Sequence, residues 1–447
     1  MFAPEEIPED ILPFIFTHLT NRKDLFATAL ASRVFNRAAL PILYRKLDAR
    51  AKETKKGIVV NHPAETLLKR HELARYVFEV QESDRVLPQS LRALALCTQL
   101  RAFTWVDESE LPDGVLLAFL DVLENLPLRI LTIRTFGDLG KPVWDKLRTF
   151  TALEKVSIWC MQGPPRILQG WSECLSNTLT SLELGRCSGV PATILISVLS
   201  HLQRLEHLRL KGAPSNTLPF IVSSLPNLKS VDTDYNDATV SRPSQKLPPP
   251  LRILTVRTSS LDVTGPRNLW RWINELTPRR SLESFTLHSF STMGETSVPR
   301  RFILDLAAIH GPLLKQFRVG STELTLSDIE CLCDLFPNLE ELSCSVACAD
   351  ARSIQDVTAH AQNLRTLRLK VQWLHFDQIR KVVRDDSLHF TIENARRMML
   401  RENSVLRVIS TGPVVYKGQW VRAPSGGSDA IQFEVSRIYM TDARDDT

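Results

Sequence analysis

Four cysteines lie close together in the chain, as Cys331-x-Cys333 and Cys344-x3-Cys348. Thiolates so spaced raise the possibility of zinc, yet paired knuckles place two residues between ligands, and neither spacing here matches. On a helix through Ile329–Phe336, Cys333 joins Ile329, Leu332 and Phe336 on one apolar face, whereas Cys331 points away. Small buried hydrophobes explain these cysteines better than a metal does. Other catalytic signatures fail in the same way. Gly137-Asp138-Leu139-Gly140-Lys141 lacks both the phosphate-loop spacing and a following Ser or Thr. His71-Glu72 has no second histidine four residues on, and no Gly-x-Ser-x-Gly occurs. Trp270 and Trp272 read as helix packing rather than a base-stacking platform, because no recognised nucleic-acid module accompanies them. The sequence predicts no catalytic residue, no metal and no cofactor.

What remains is a chain that binds, and its elements say how. A length of 447 residues exceeds one ordinary core, so several domains or a repeat array are expected. Hydrophobic residues at 43% and charged residues at 23% exclude a wholly disordered or collagenous chain. Lys plus Arg total 55 against 50 Asp plus Glu, and the resulting +5 is too small to argue for nucleic acid. Apolar stretches such as Ala192–Leu199 fall well short of the ~18 residues that span a bilayer. The opening Met-Phe-Ala-Pro-Glu-Glu is acidic where a secretory signal is basic. Eight cysteines are too few for a disulfide scaffold. A reducing compartment, cytosol or nucleus, is the expectation, with neither nucleic acid nor membrane as partner.

The pattern apolar-x-x-apolar-x-apolar recurs from Leu100-Phe103-Trp105 to Leu364-Leu367-Leu369. Its first leucines fall at 100, 128, 153, 179, 205, 228, 251, 282, 314, 339 and 364. Such a spacing is a leucine-rich-repeat period of about 20–29 residues with occasional insertions. Leu228-Val231-Thr233 is a damaged copy, and Leu179-x-x-Leu182-x-Leu184-x-x-Cys187 resembles the cysteine-containing subtype. Between strands, Leu116–Leu126, Thr193–Leu202, Phe220–Leu225, Phe302–Ile309 and Ile329–Phe336 carry helical apolar spacing. Several stop at Pro-Asn-Leu, as in Pro226-Asn227-Leu228 and Pro337-Asn338-Leu339, where proline blocks further helix. One strand and one helix per copy predict a solenoid with a parallel sheet on one face. Polar insertions at Asn236–Pro250 and Ser291–Arg300 interrupt the beat. Past Leu406-Ile409-Thr411, Val414–Val421 and Ile431–Ile438 alternate apolar and polar residues, which predicts a β-hairpin capping the array.

The first fifty residues do not repeat. Ile7-Pro8-Glu9-Asp10-Ile11-Leu12-Pro13-Phe14-Ile15-Phe16, Asp24-Leu25, Ala29-Leu30-Ala31-Ser32-Arg33-Val34-Phe35 and Leu43-Tyr44 read as three short amphipathic helices, the first starting near Pro8. Ile11, Leu12, Ile15, Phe16 and Leu19 cover more of that helix than one face can bury, which leaves apolar surface for a partner. Lys52–Lys56 is expected as a charged loop, His62–Leu68 as a helix start, and Tyr76–Val80 as a first imperfect repeat strand. A short apolar linker predicts that the helices sit packed on the repeats.

The layout apolar-Pro-x-Glu/Asp-Ile-Leu, Ile-Phe-x-x-Leu, Asp-Leu, Ser-Arg-x-Phe and Leu-Tyr resembles an F-box, in particular that of fungal proteins with irregular leucine-rich repeats. The resemblance covers residues 5–47. Ile7 stands where leucine is usual, Ala31 where valine is common and Phe35 where tryptophan is common. It implies docking on a Skp-type adaptor, and through it a cullin, with the repeats holding a protein substrate of a ubiquitin ligase. Carried over position by position, the adaptor contacts are Ile7, Pro8, Ile11, Leu12, Ile15, Leu25, Leu30 and Phe35. The implied fold is α/β: an N-terminal three-helix F-box, then a leucine-rich-repeat solenoid with a C-terminal β-hairpin cap. The expected divisions are 1–50 for the box, 51–99 for the entry, 100–404 for the repeats and 405–447 for cap and tail. A second reading keeps the repeats as an interaction scaffold or inhibitor working without the ligase.

On the repeat strands, side chains between and beside the apolar positions face away from the helices. Arg134, Trp159, Arg209, Lys211, Arg257, Arg318 and Arg368 are the candidate substrate-binding residues among them. Arg209, Lys211, Arg257 and Arg318 would form a basic stripe, suited to an acidic or phosphorylated segment. A solvated sheet face of ordinary charge is the competing reading.

Overall fold

The structure, a computed structural model, describes residues 8–48, 50–54, 57–61, 63–83, 88–107, 113–160, 168, 170–236, 246–258, 265–289, 297–374, 390–422 and 431–439. For 50–54, 57–61, 88 and 265–267 it describes the backbone alone. The chain divides into two compact units, Met1–Ala213 and Pro214–Thr447. No described helix is long and apolar enough to cross a membrane.

The first unit opens with helices α1 (Leu12–Thr17), α2 (Arg22–Ala31) and α3 (Arg33–Leu43). The first helix begins four residues later than the sequence suggests. Pro8 to Ile11 form a turn closed by the Ile11 amide on the Pro8 carbonyl at 3.1 Å. Pro13 therefore falls in the first helical turn, where its missing N–H costs nothing. Asn21 caps α2 and Ser32 caps α3, each side chain accepting a backbone N–H that would otherwise be orphaned. Leu12, Phe16, Leu25, Ala29, Ala38, Ala39 and Leu43 close a small core. Phe35 meets Phe16 edge-on there, centroids 5.4 Å apart.

From α3 the chain runs directly into strand β1 (Lys46–Asp48). Instead of a charged loop, β2 (Arg50–Thr54) and β3 (Gly57–Asn61) pair antiparallel. The β-branched run Ile58-Val59-Val60 favours extended backbone, and this outweighs the lysines. After α4 (Ala64–Lys69) comes β4 (Glu79–Ser83), which pairs parallel with β1. The Arg45 carbonyl accepts from the amides of Phe78 and Glu79, and Arg22 reaches Asp48 at 3.4 Å. The three helices are thereby tied to the sheet that follows them.

Strand and helix then alternate: α5 (Pro88–Leu94), β5 (Ala102–Asp107), α6 (Gly114–Leu123), β6 (Ile130–Thr135), α7 (Lys141–Leu147) and β7 (Lys155–Cys160). The unit ends with α8 (Trp171–Leu175), β8 (Ser181–Leu184), α9 (Ala192–Ser200) and β9 (His207–Leu210). Every successive strand pair from β4 to β9 is parallel. The repeat leucines Leu100, Leu128, Leu153, Leu179 and Leu205 are all buried, as are the two apolar positions that follow each. The intervening residues lie on the face away from the helices, as the two-residue strand period requires.

The second unit repeats the plan with α10 (Leu218–Ser224), β10 (Ser230–Tyr235), β11 (Ile253–Thr258), α11 (Gly265–Leu276), β12 (Ser284–Ser289) and α12 (Arg300–His310). Next come β13 (Gln316–Glu323), α13 (Leu326–Leu335), β14 (Glu341–Cys348), α14 (Ala351–Val357) and β15 (Thr366–Trp373). Strands β10 to β15 are parallel in sequence order. In the damaged copy, Thr233 fills the apolar slot and is fully buried. Trp270 and Trp272 pack as expected of helix residues: Trp272 donates to the Ser215 carbonyl at 2.9 Å, and Trp270 lies on Phe302.

The asparagine before a repeat's first leucine, in Pro-Asn338-Leu and in Gln-Asn363-Leu, bonds to the copy before it. Asn338 donates its amide to the Pro312 carbonyl and Asn363 to the Pro337 carbonyl, both at 2.8 Å. Each asparagine thus satisfies a carbonyl at the helix exit of the preceding copy. At the strand starts, Glu283 pairs with Arg252 at 2.5 Å and with Lys315 at 3.2 Å. The Arg252 guanidinium, helped by Lys315, holds the Glu283 carboxyl below its usual range.

After β15 the pattern changes. Helix α15 (Ile392–Met399) packs on β17 (Val414–Arg422) and β18 (Ile431–Tyr439), while β16 (Val408–Thr411) adds parallel to β15. Strands β16, β17 and β18 then run antiparallel in turn, which is the hairpin expected from the alternation. Arg401 donates to the Thr358 carbonyl at 2.9 Å, joining this segment to the end of α14. The turn residues Pro424–Gly427 and most of the Asn236–Pro250 insertion lie outside the described residues.

Candidate functional site

Two surfaces carry the residues singled out by sequence. The first is on the N-terminal helices. Counting by three and four from Leu12 gives Phe16 and Leu19, which face the shared core. Counting from Ile11 gives Phe14 and Ile15, which are exposed. In α2, Leu25 and Ala29 point inward while Phe26 and Leu30 point outward, one residue later each time. Both helices therefore bear two apolar faces, and only one of each is used.

Of the expected adaptor contacts, Pro8, Ile11, Ile15 and Leu30 lie on the surface. Leu12 and Leu25 do not: they are 1% and 4% exposed and belong to the packing of the three helices. Phe35 is half-buried against Phe16. Ile7 lies outside the described residues. Sequence reasoning missed Phe14, 73% exposed, and Phe26, 58% exposed. The helical count from Ile11 and from Leu30 was the available signal.

The second surface is the open face of the repeat sheet in the first unit. Register sets Arg134 beside Trp159, with Gly185 next to Trp159 on the far side. The Gly185 amide donates to the Ile158 carbonyl at 2.8 Å, and the Lys211 amide to the Leu184 carbonyl at 2.9 Å, so Lys211 stands beyond Gly185. A β-carbon at Gly185 would overlap the Trp159 ring, so the indole lies where a side chain is missing. Three cations close around it. Arg134 sits 5.8 Å from the ring centroid, Arg209 5.3 Å and Lys211 5.3 Å, the range of cation–π attraction. Two residues before the glycine, Glu183 accepts from Ser157 at 2.8 Å and lies 2.9 Å from Arg209. Trp159, Arg134, Arg209 and Lys211 thus come together on this face.

The second unit has its own open face and a different balance. Arg257 makes a paired contact with both carboxylate oxygens of Asp232. Arg318 lies 2.5 Å and Arg368 3.5 Å from opposite oxygens of Glu341. The expected stripe of Arg209, Lys211, Arg257 and Arg318 is broken between Arg257 and Arg318. The first two belong to the first unit. Within the second, Arg257 is level with Asp234 and His288, whereas Arg318 is level with Thr286 and Ser343. The reason is position in the repeat: Arg318 lies between the two strand apolar residues, and Arg257 follows the second.

The clustered cysteines are core residues. Cys333, Cys344 and Cys348 are buried, and so is Cys331, contrary to the expectation that it points away. Helix α13 packs against both α12 and α14, so its flanks are covered as well as its sheet-facing side. Burial pushes the Cys333 thiol up to about 12 and raises Cys344 further. Among the described residues no group of three or more His, Cys, Asp or Glu is placed to hold a metal. All eight cysteines are free.

No family model matches the sequence, and no curated protein matches it. Solved structures that resemble it include the yeast Rad7 and Elc1 complex, at 15% identity and a TM-score of 0.44, covering 86% of this chain and 92% of that one. A leucine-rich-repeat protein of Leptospira interrogans is also similar, at 15% identity and a TM-score of 0.25, covering 67% of this chain and 86% of that one. At these scores neither likeness carries an argument; the repeat architecture rests on the strand–helix beat and parallel register of this chain itself.

Proposed function

We propose that the chain is the substrate-recognition subunit of a Skp–cullin–F-box type ubiquitin ligase, acting in cytosol or nucleus. In this reading, α1 to α3 form the F-box and dock on a Skp-type adaptor, the repeats hold a protein target, and α15 with β16 to β18 caps the last repeat. The proposed divisions remain 1–50, 51–99, 100–404 and 405–447. The chain does no chemistry itself; it raises the local concentration of target at the ligase.

One observation carries the reading. The small helical core is closed by Leu12, Phe16, Leu25 and Ala29, yet Ile11, Phe14, Ile15, Phe26 and Leu30 stay exposed on the same helices. A second apolar face on a helix already packed on its first is a surface for a partner. The F-box resemblance of residues 5–47 names the kind of partner. The test is co-expression with a Skp-type adaptor, comparing the native chain with a Phe14→Asp, Leu30→Asp variant. A complex formed by the native chain and lost in a folded variant supports the reading. A folded native chain that forms no complex overturns it.

A further inference from the structure

The last strand of the second unit keeps an open edge. β18 is nine residues long, pairs with β17 at every one of them, and meets no other strand among the described residues. Which of its backbone groups are free follows from the ladder behind it. The Gly418 amide donates to the Arg407 carbonyl at 2.9 Å, so Gly418 faces β16. By alternation Lys417 and Gln419 face β18, where their partners are Ser436 and Glu434. Ile431, Phe433, Val435, Arg437 and Tyr439 therefore turn their N–H and C=O groups outward. Edge strands are ordinarily blunted by shortness, lysine, proline or a bulge, and the outer face of a repeat cap is ordinarily polar. β18 has no lysine, proline or glycine, and its register with β17 is unbroken. On it Ile431, Ile438 and Tyr439 are 66%, 43% and 59% exposed.

We propose that this edge pairs antiparallel with the same strand of a second copy of the chain, about a two-fold axis at Val435, joining two arrays cap to cap. The inference is independent of the ligase reading. A two-fold axis perpendicular to the sheet keeps each side chain on its own face, so only residues of like parity can meet. Centred on Val435, all nine positions of β18 find a partner. On the face that carries α15, Ile431 meets Tyr439 and Phe433 meets Arg437. The Arg437 guanidinium already lies 4.7 Å from the Tyr439 ring centroid in its own strand, and a second ring opposite it is a favourable cross-strand neighbour. On the other face the Ser436 hydroxyl meets the Glu434 carboxylate, and no like charges are opposed. The neighbouring registers are worse matched. Centring on Glu434 opposes two carboxylates, and centring on Ser436 sets Glu434 against Ile438. The strand is complementary to itself in charge and in apolar pairing, which makes a second copy the occupant rather than a foreign segment.

The test is sedimentation equilibrium of the full chain across micromolar concentrations, where the native chain should form a reversible dimer. Val435→Pro removes an outward N–H and no bond to β17, so it should weaken the dimer by about tenfold or more in a chain that stays folded. An Ile431→Lys, Ile438→Lys variant, altered only at exposed positions, should do the same. Geometry is tested by cysteines in a Cys174→Ser background, which removes the exposed thiol. Ile431 and Tyr439 would face each other across the axis with Cα atoms about 5.5 Å apart, within disulfide reach. The two copies of Ile431 would lie about 27 Å apart. Mild oxidation should therefore link the Ile431→Cys, Tyr439→Cys chain into a covalent dimer and leave Ile431→Cys alone unlinked. A folded native chain that stays monomeric overturns the proposal. So does a dimer that survives both edge variants, one that links through Ile431→Cys alone, or one that fails to link through the pair.

Discussion

Trp159 lies against the backbone of Gly185, in the space a side chain would fill. The relationship crosses two strands, β7 and β8, and it explains why a large aromatic can lie flat on an otherwise polar face. Replacing Gly185 with alanine sets a β-carbon against the ring atoms nearest the backbone, which cannot yield without swinging the whole indole. Overpacking of this kind costs about 1–3 kcal/mol. The Gly185→Ala chain should melt at a lower temperature, and its tryptophan emission should shift to the red as the ring moves into water. An unchanged melt and emission would show that Trp159 does not lie there.

The two faces of the N-terminal helices should separate cleanly under mutation. Phe14, Phe26 and Leu30 are exposed, so Asp at any one of them should change stability by no more than about 0.5 kcal/mol. Phe16 is buried between Leu12 and Phe35, and Phe16→Ala should cost about 3–5 kcal/mol if its cavity does not collapse. Denaturant titration of the four variants checks this. Comparable losses on both faces would mean that the outward residues are already covered.

Much of this was legible in the sequence because the leucine-rich beat states both period and face. Leu128, Leu131 and Ile133 are buried where their spacing placed them, and the helix of Phe302–Ile309 is found at Arg300–His310. What the sequence hid depends on neighbours. Arg257 and Arg318 looked alike in one dimension, but pairing put them on different levels and gave each a carboxylate from the adjacent strand. Cys331 looked solvent-facing on one helix and is covered by the next ones. Leu12 carries a family's contact position yet fills this chain's own core. Trp159 was legible as a candidate, whereas the gap beneath it became visible only once Gly185 was placed beside it.

The asparagine before a repeat's first leucine should matter twice over, as Pro-Asn338-Leu and as Gln-Asn363-Leu. Each amide donates 2.8 Å to the carbonyl of the proline one copy earlier, so alanine leaves that carbonyl to water. A net loss of about 1 kcal/mol is expected for each single variant. The Pro337 carbonyl belongs to the peptide that enters Asn338, so the two contacts are close enough to couple, and the double variant should depart from the sum by about 0.5 kcal/mol or more. Urea midpoints of the two singles and the double measure it. Wild-type stability in both singles would remove these bonds from the account of the stack.

Thiol chemistry distinguishes the cysteines. Cys174 is exposed, whereas the other seven are buried. Burial raises Cys97 and Cys333 to about 12, which leaves almost no thiolate at neutral pH. A maleimide should therefore label one thiol per native chain within minutes and all eight after denaturation. Zinc chelation should leave the melting temperature where it was. Rapid labelling at Cys331 or Cys333, shown by peptide mapping, would contradict the packing of α13 between its neighbours.

His310 should make stability depend on pH, in a direction its hydrogen bonds fix. It is buried at the end of α12, its Nε2 donating to the Thr277 carbonyl at 3.0 Å. Its Nδ1 accepts from the amides of Ser281 and Leu282, both at 3.3 Å, and so has no room for a proton. Burial lowers the imidazole pKa below its ordinary 6.5, outweighing the opposing pull of the Thr277 carbonyl. Above 6.5 the ring is neutral in folded and unfolded chains alike, and the contribution is fully present. As pH falls below 6.5 the unfolded chain takes up a proton that the folded chain resists, so this stability is lost toward the lower folded value. Carboxylates elsewhere add their own slope, which makes His310→Phe the necessary comparison. Unfolding free energy between pH 7 and pH 5 should fall more steeply for the native chain than for this variant, even though the variant starts lower for want of three hydrogen bonds. Parallel curves would mean that the imidazole is protonated as readily inside the fold as outside it.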